Sequence, residues 1–229
     1  MWTYNSKDSN TGKTTYGGYS DKIVVDRRFV IKFQSGKNLP GMAPILCAGI
    51  TTYSPLKKYG VGPGKNVAVA GLGGLGHMAV KIASSMGANV TVFTSSENKI
   101  NEAKRLGASE VVAFRSRNDL KGKNLSFDLI MDTIPANHDI NALMSTLKPN
   151  GTLVLVGLPE KSVNYTLSPF ILTDSNRSVS GSNIGGIPET QEIVDFCQKH
   201  DIRSDVEIIP FNGLDEAYNR ITKNDVKYR

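Results

Sequence analysis

The chain has 229 residues, a hydrophobic share of 39%, a charged share of 21% and a formal net charge of +6. Such a length supports one large domain, or one domain and part of a second. The composition excludes a disordered chain, and no apolar run approaches the roughly 18 residues of a membrane-spanning helix.

Basic residues are dispersed along the chain without an aromatic RNA-binding motif, so the charge does not predict nucleic acid as a partner. Residues 1–7 carry no apolar run behind their charge and do not read as a secretory signal. Two cysteines, Cys47 and Cys197, cannot build a disulfide framework, which predicts a reducing compartment, the cytoplasm.

The opening segment, through about Asn38, reads as β. Gly17-Gly18 makes a turn, and the β-branched runs 23–25 and 29–31 flank the charged Asp26-Arg27-Arg28. These strands have too few partners to form a stable sheet alone. From Ala43 the pattern is helical through Cys47 and Tyr53, until Gly60-Val61-Gly62-Pro63-Gly64 breaks it.

Strands and helices then alternate at the spacing of a parallel sheet with crossover helices. Strands are predicted at 67–70, 90–93, 111–113, 129–132, 153–156 and 179–180, with helices at 75–86, 99–106 and 140–147. The helices stop at Gly87, at Gly107 and at Lys148-Pro149-Asn150-Gly151. The fold class is α/β, a doubly wound parallel sheet of about six strands. Beyond Gly181 the pattern predicts a helix at 190–199, a strand at 206–209, a helix at 214–222 and the start of a strand at 226–229.

The first strand of the alternating region runs into Gly71-Leu72-Gly73-Gly74-Leu75-Gly76 and then a helix, the context a dinucleotide-binding G-x-G-x-x-G loop requires. Gly71 permits the tight turn, Gly73 lets backbone approach a pyrophosphate, and Gly76 lets helix and strand pack closely. Leu72 and Leu75 complete the loop. The alternative is a bare structural turn. An NAD site places an acid about 20 positions on, at the end of the second strand, for the ribose 2′-hydroxyl. Thr94-Ser95-Ser96 stand there instead, with Lys99 one helical turn later, so hydroxyls and a cation await a 2′-phosphate and NADP(H) is the expected cofactor. Alternatively Ser96 caps the next helix and Lys99 is a solvated surface residue. S-adenosylmethionine binding, which also uses a glycine turn, lacks its acid here too. His77, early in the helix behind the loop, reads as packing with no visible partner. His138 reads as a surface residue of a loop on the cofactor side, and Cys197 as core.

Four spaced segments carry a resemblance: Gly17-Gly18-Tyr19-Ser20, the run PILCAGITTYSPL at 44–56, GLGGLGHMAVK at 71–81, and Gly181-Ser182-Asn183-Ile184-Gly185-Gly186. Together they resemble the cinnamyl alcohol dehydrogenase and NADP-dependent aldehyde reductase branch of the zinc-dependent medium-chain dehydrogenases, over essentially the whole chain. The resemblance implies reversible hydride transfer between NADP(H) and a primary alcohol or aldehyde, with zinc as Lewis acid. It makes Cys47 a ligand of the catalytic zinc, whereas by residue type alone Cys47 reads as a small buried hydrophobe. It places Thr51, Thr133, Gly157, Ser182 and Ile184 along the nicotinamide half, and Trp2 with Ile184 in the substrate pocket.

Family members are longer at the N-terminus, where a GroES-like barrel supplies the remaining zinc ligands and the start of a proton relay. The resemblance therefore implies a truncated member: residues 1–46 a remnant of that catalytic domain, 47–184 the NADP-binding domain, and 185–229 a return segment. It also implies a homodimer formed along 179–182. The rival readings are a dinucleotide-binding or dimerising module without catalysis, and a zinc-free reductase of the quinone-reductase kind.

Overall fold

The computed structural model describes residues 4–18, 22–34, 39–223 and 225–229. It divides into two compact units, Met1–Lys32 and Phe33–Arg229.

In the first unit, β1 (Tyr4–Lys7) and β2 (Thr14–Tyr16) form an antiparallel hairpin. The Asp8 carboxylate organises the turn between them, accepting the N–H groups of Asn10 and Thr11 at 2.8 Å each. The strands expected at 23–25 and 29–31 do not form. Asp26 instead caps a 3-10 turn at Arg27–Phe29, and Val24 and Phe29 are exposed. β-branched residues favour extended backbone, but a strand also needs a neighbour for its ladder.

The second unit opens with α1 (Leu39–Met42), a 3-10 turn at Ala43–Leu46 and α2 (Ala48–Lys58). It continues through β3 (Asn66–Ala70), α3 (Gly76–Ser85), β4 (Asn89–Thr94), α4 (Ile100–Arg105), β5 (Glu110–Ala113), β6 (Phe127–Asp132) and α5 (Ile140–Met144). After these come β7 (Leu147–Leu155), α6 (Pro169–Thr173), β8 (Ser178–Gly181), α7 (Ile187–Lys199) and α8 (Leu214–Thr222).

The sheet order is β5-β4-β3-β6-β7-β8, with every neighbouring pair parallel. The chain lays strands outward from β3 to one edge, returns to β6 beside β3, and winds out the other way. That topology opens a crevice at the carboxyl ends of β3 and β6. Crossover helices cover both faces, so the central strands must be apolar throughout. Val67, Val69, Val90, Val92, Ile130 and Met131 are accordingly fully buried. Phe93 anchors one layer, edge-on to Phe127 at 5.4 Å and tilted against Phe114 at 6.1 Å.

Three expectations need correction. The helix at 140–147 ends at Met144, because Leu147 already pairs with Phe127. Lys148–Gly151, read as a turn, interrupts the register within β7, where Asn150 adopts φ +63°. Residues 206–209 and 226–229 are extended but form no strand. Their backbones are tied by the bonds from Glu207 N–H to the Arg229 carbonyl and from Tyr228 N–H to the Asp205 carbonyl, and Lys227 N–H donates to Glu207 Oε1 at 2.9 Å. No helix among the described residues is long and apolar enough to cross a membrane.

Candidate dinucleotide site

β3 delivers the glycine loop to the crevice. Gly71 has φ +89°, a region closed to most side chains, and a Cβ there would stand 2.8 Å from Thr133 Oγ1. Thr133, just past β6, donates its hydroxyl to the Ala70 carbonyl at 2.8 Å and so clamps the loop to the neighbouring strand. A Cβ on Gly76 would fall 2.1 Å from the Gly71 carbonyl oxygen, so α3 starts hard against the loop. Around Gly73 a Cβ would meet nothing within 4 Å, which leaves backbone open to an incoming group.

One cleft of about 900 Å³ gathers Gly71, Leu72, Gly73, Gly74, Leu75, Thr94, Ser95, Ser96, Lys99, Thr133 and Gly157. Gly76 lies behind the loop. The N-terminus of α3 faces this space, where backbone N–H groups and the helix dipole favour an anion. Ser96 holds the N-cap position of the 3-10 turn Glu97–Lys99, but its side chain makes no capping bond. Lys99 is not the solvated residue of the alternative reading. Its Nζ donates to the Leu72 carbonyl at 2.9 Å, and burial, with Lys227 nearby, lowers its pKa.

Cys47, Thr51, Ser182 and Ile184 do not line that cleft. Cys47 sits exposed between the 3-10 turn and α2, and Thr51 N–H donates to its carbonyl at 3.0 Å. The 182–186 loop meets α2, since a Cβ on Gly185 would stand 2.7 Å from Ile50 Cδ1. Ile184, half exposed at φ +55°, belongs to that junction. Trp2 lies outside the described residues. Among the described residues no three His, Cys, Asp or Glu side chains converge as a metal ion requires. Cys47 with its described neighbours therefore does not fit zinc.

His138 is not a surface residue: its side chain is 9% exposed and it lines the cleft. Its Nε2 lies 2.9 Å from Asp132 Oδ2 and its Nδ1 2.8 Å from the Ala136 carbonyl. A carboxylate and a carbonyl both accept, so only the doubly protonated imidazolium satisfies both nitrogens. Burial lowers the His138 pKa, but the hydrogen bond and charge of Asp132 outweigh it and the net direction is up. His77 shows the opposite pattern. Nδ1–H donates to the Gly73 carbonyl at 3.1 Å, and Nε2 accepts from the Ser204 hydroxyl at 3.0 Å, which suits a neutral ring. Burial pushes its pKa down to about 4. Tyr228 stacks on it at 4.8 Å. Cys197 is fully buried as expected, its thiol pushed up to about 12 by burial.

Four residues escaped the sequence reading, three that line the cleft and one, the buried Asp132, that hydrogen-bonds its lining residue His138. Asp132 ends β6 beside the glycine strand, where a strand-end acid in an open α/β sheet signals a site. Arg115 follows β5 in the same way. Tyr228 and Arg229 reach the cleft from the end of the chain, and a Cβ on Gly74 would lie 2.8 Å from Arg229 Nε, so that guanidinium rests on the loop. Nothing local marks these two.

The model of zinc-binding dehydrogenases matches residues 74–199, more than half of the chain. The chain belongs to the zinc-binding dehydrogenase family. This family member is 48% identical over 227 residues to NADP-dependent alcohol dehydrogenase C 1 of Mycolicibacterium smegmatis, covering 99% of the present chain and 64% of that protein. Aldehyde reductase YahK of Escherichia coli is 47% identical, with 99% and 65% covered. Among solved structures, the cinnamyl alcohol dehydrogenase of Helicobacter pylori complexed with NADP(H) superposes with a TM-score of 0.89 at 43% identity, covering 99% of this chain and 64% of that one. The chain thus spans about 64% of the length of these relatives.

Proposed function

We propose that the chain binds NADP(H) and serves an alcohol dehydrogenase or aldehyde reductase that transfers a hydride between NADPH and an aldehyde carbonyl. What carries the reading is the convergence, in one cleft, of a helix N-terminus opened by Gly73 and of the hydroxyls of Thr94, Ser95 and Ser96. The diphosphate would rest on the start of α3, beside Arg229. The 2′-phosphate would meet the two serines, where an NAD site would hold an acid. The chemistry a bound dinucleotide supplies is hydride transfer to or from a carbonyl carbon.

Thr133 and Gly157 close the cleft floor between β6 and β7, and Thr51, Ser182 and Ile184 would approach the nicotinamide from α2 and its neighbouring loop. Zinc assistance enters only with further ligands for Cys47 from outside the described residues. In this reading 1–46 belong to a catalytic domain, 47–184 to the NADP domain and 185–229 to the return segment, with Ile184 toward the substrate and the cytoplasm as residence.

Fluorescence titration is expected to give saturable NADPH binding at least about tenfold tighter than NADH, the worth of one charge-assisted hydrogen bond. Equal affinities would remove the reading. β8 ends the sheet order and offers its edge to a second copy. Light scattering is expected to report a dimer mass, and a monomer at micromolar concentration counts against that pairing.

A further inference from the structure

β4 and β5 run parallel in register from Thr91 opposite Glu110 to Thr94 opposite Ala113, and Phe114 N–H then donates to the Thr94 carbonyl at 2.9 Å. The residues past the two strands therefore leave the sheet side by side. Ser95 and Ser96 come from one strand, Arg115 from the other, and all three line the cleft. The Arg115 backbone is anchored, because its N–H donates to Asp119 Oδ2 at 2.8 Å and that carboxylate also accepts from Ser116 N–H at 2.7 Å.

The Arg115 guanidinium uses two of its five N–H groups: Nε–H donates to the Ser95 carbonyl, and a terminal N–H to Glu97 Oε1, each at 3.2 Å. The Glu97 pairing is solvent-facing, with both side chains more than 60% exposed, and is correspondingly weak. Lys99, the cation expected here from sequence, lines the same cleft and gives one of its three N–H groups to the Leu72 carbonyl.

We propose that Arg115 discriminates a 2′-phosphate from a 2′-hydroxyl on the adenosine ribose, with Glu97 as the competitor that holds its guanidinium in the free protein. The inference rests on the dinucleotide reading above. A phosphate brings nearly two charges and three acceptor oxygens to a planar fork that a single exposed carboxylate holds loosely. A ribose hydroxyl brings no charge and leaves the Arg115–Glu97 pair in place.

Calorimetry on the full chain with 2′,5′-ADP and 5′-AMP, which differ only by the 2′-phosphate, tests this. The unaltered protein is expected to bind 2′,5′-ADP more tightly. Arg115→Ala should weaken 2′,5′-ADP by about 10–100-fold while changing 5′-AMP less than about twofold, and Arg115→Lys should recover part of the loss. Glu97→Gln should tighten 2′,5′-ADP by about 2–5-fold and leave 5′-AMP unchanged. Binding of 5′-AMP doubles as the control that each variant is folded. An unchanged preference in Arg115→Ala, or equal weakening of both ligands, overturns the role of Arg115 while leaving the cofactor reading intact. Failure of the unaltered protein to bind either nucleotide overturns both.

Discussion

Gly76→Ala is expected to cost about 3 kcal/mol of unfolding free energy and to abolish saturable NADPH binding. The added methyl would stand 2.1 Å from the Gly71 carbonyl oxygen, a backbone atom that cannot rotate aside. Either α3 lifts from the loop or the Gly71 peptide turns, and both break the geometry at the helix start. Gly73→Ala is the informative partner. Its methyl meets nothing within 4 Å, so urea unfolding should move by less than about 0.5 kcal/mol. Because that methyl would stand where backbone approaches the diphosphate, NADPH affinity should still fall by about tenfold or more. If the two variants lose stability and affinity in the same proportion, the loop is a structural turn and not a cradle.

Asp132→Ala is expected to destabilise by about 3 kcal/mol, because it strips a buried imidazolium of its counter-charge. The Asp132 and His138 side chains are 2% and 9% exposed, so water cannot replace the lost partner. Asp132 is also a local hub. Its Oδ1 accepts Ile134 N–H at 3.0 Å, and its backbone carbonyl accepts the N–H groups of Val156 and Gly157. The same pair sets a pH dependence. His138 holds its proton more tightly folded than unfolded, so its contribution is complete below the ordinary histidine value of 6.5 and is lost as pH rises through the higher folded value. Chemical denaturation from pH 6 upward should therefore show an alkaline decline that His138→Gln removes. A decline that persists unchanged in His138→Gln assigns it to another group.

The sheet was legible because its evidence is local and repeated. Apolar runs such as Val67–Ala70 have a helical pattern behind them, and α3 and α4 end where Gly87 and Gly107 take φ +90° and +111°. A parallel sheet buried on both faces leaves that alternation wherever it occurs. The strand expectations at 23–25, 29–31 and 206–209 failed for the complementary reason. Propensity belongs to the residue, whereas a ladder belongs to a pair of segments. His138 was misjudged in the same way, and His77, buried as expected, has a partner that the sequence did not show. The partner of His77 is Ser204, 127 positions away, and no periodicity connects them. Lys99 lines the cleft as its spacing suggested, but nothing in the sequence showed that one of its N–H groups reaches a carbonyl 27 positions upstream.

By itself the sequence determined the winding of the chain, the glycine loop between β3 and α3, and the hydroxyl run that follows β4, because each follows from residue type and spacing along one segment. Tertiary structure alone decided how the charged groups around the cleft are paired. Arg115 beside Ser95 and Arg229 over Gly74 meet only when separate strand ends and the end of the chain close on one crevice, and Asp132 meets His138 because the loop after β6 folds back on its own strand. Electrostatic partnership depends on distances of about 3 Å in space, and sequence separation carries no record of those.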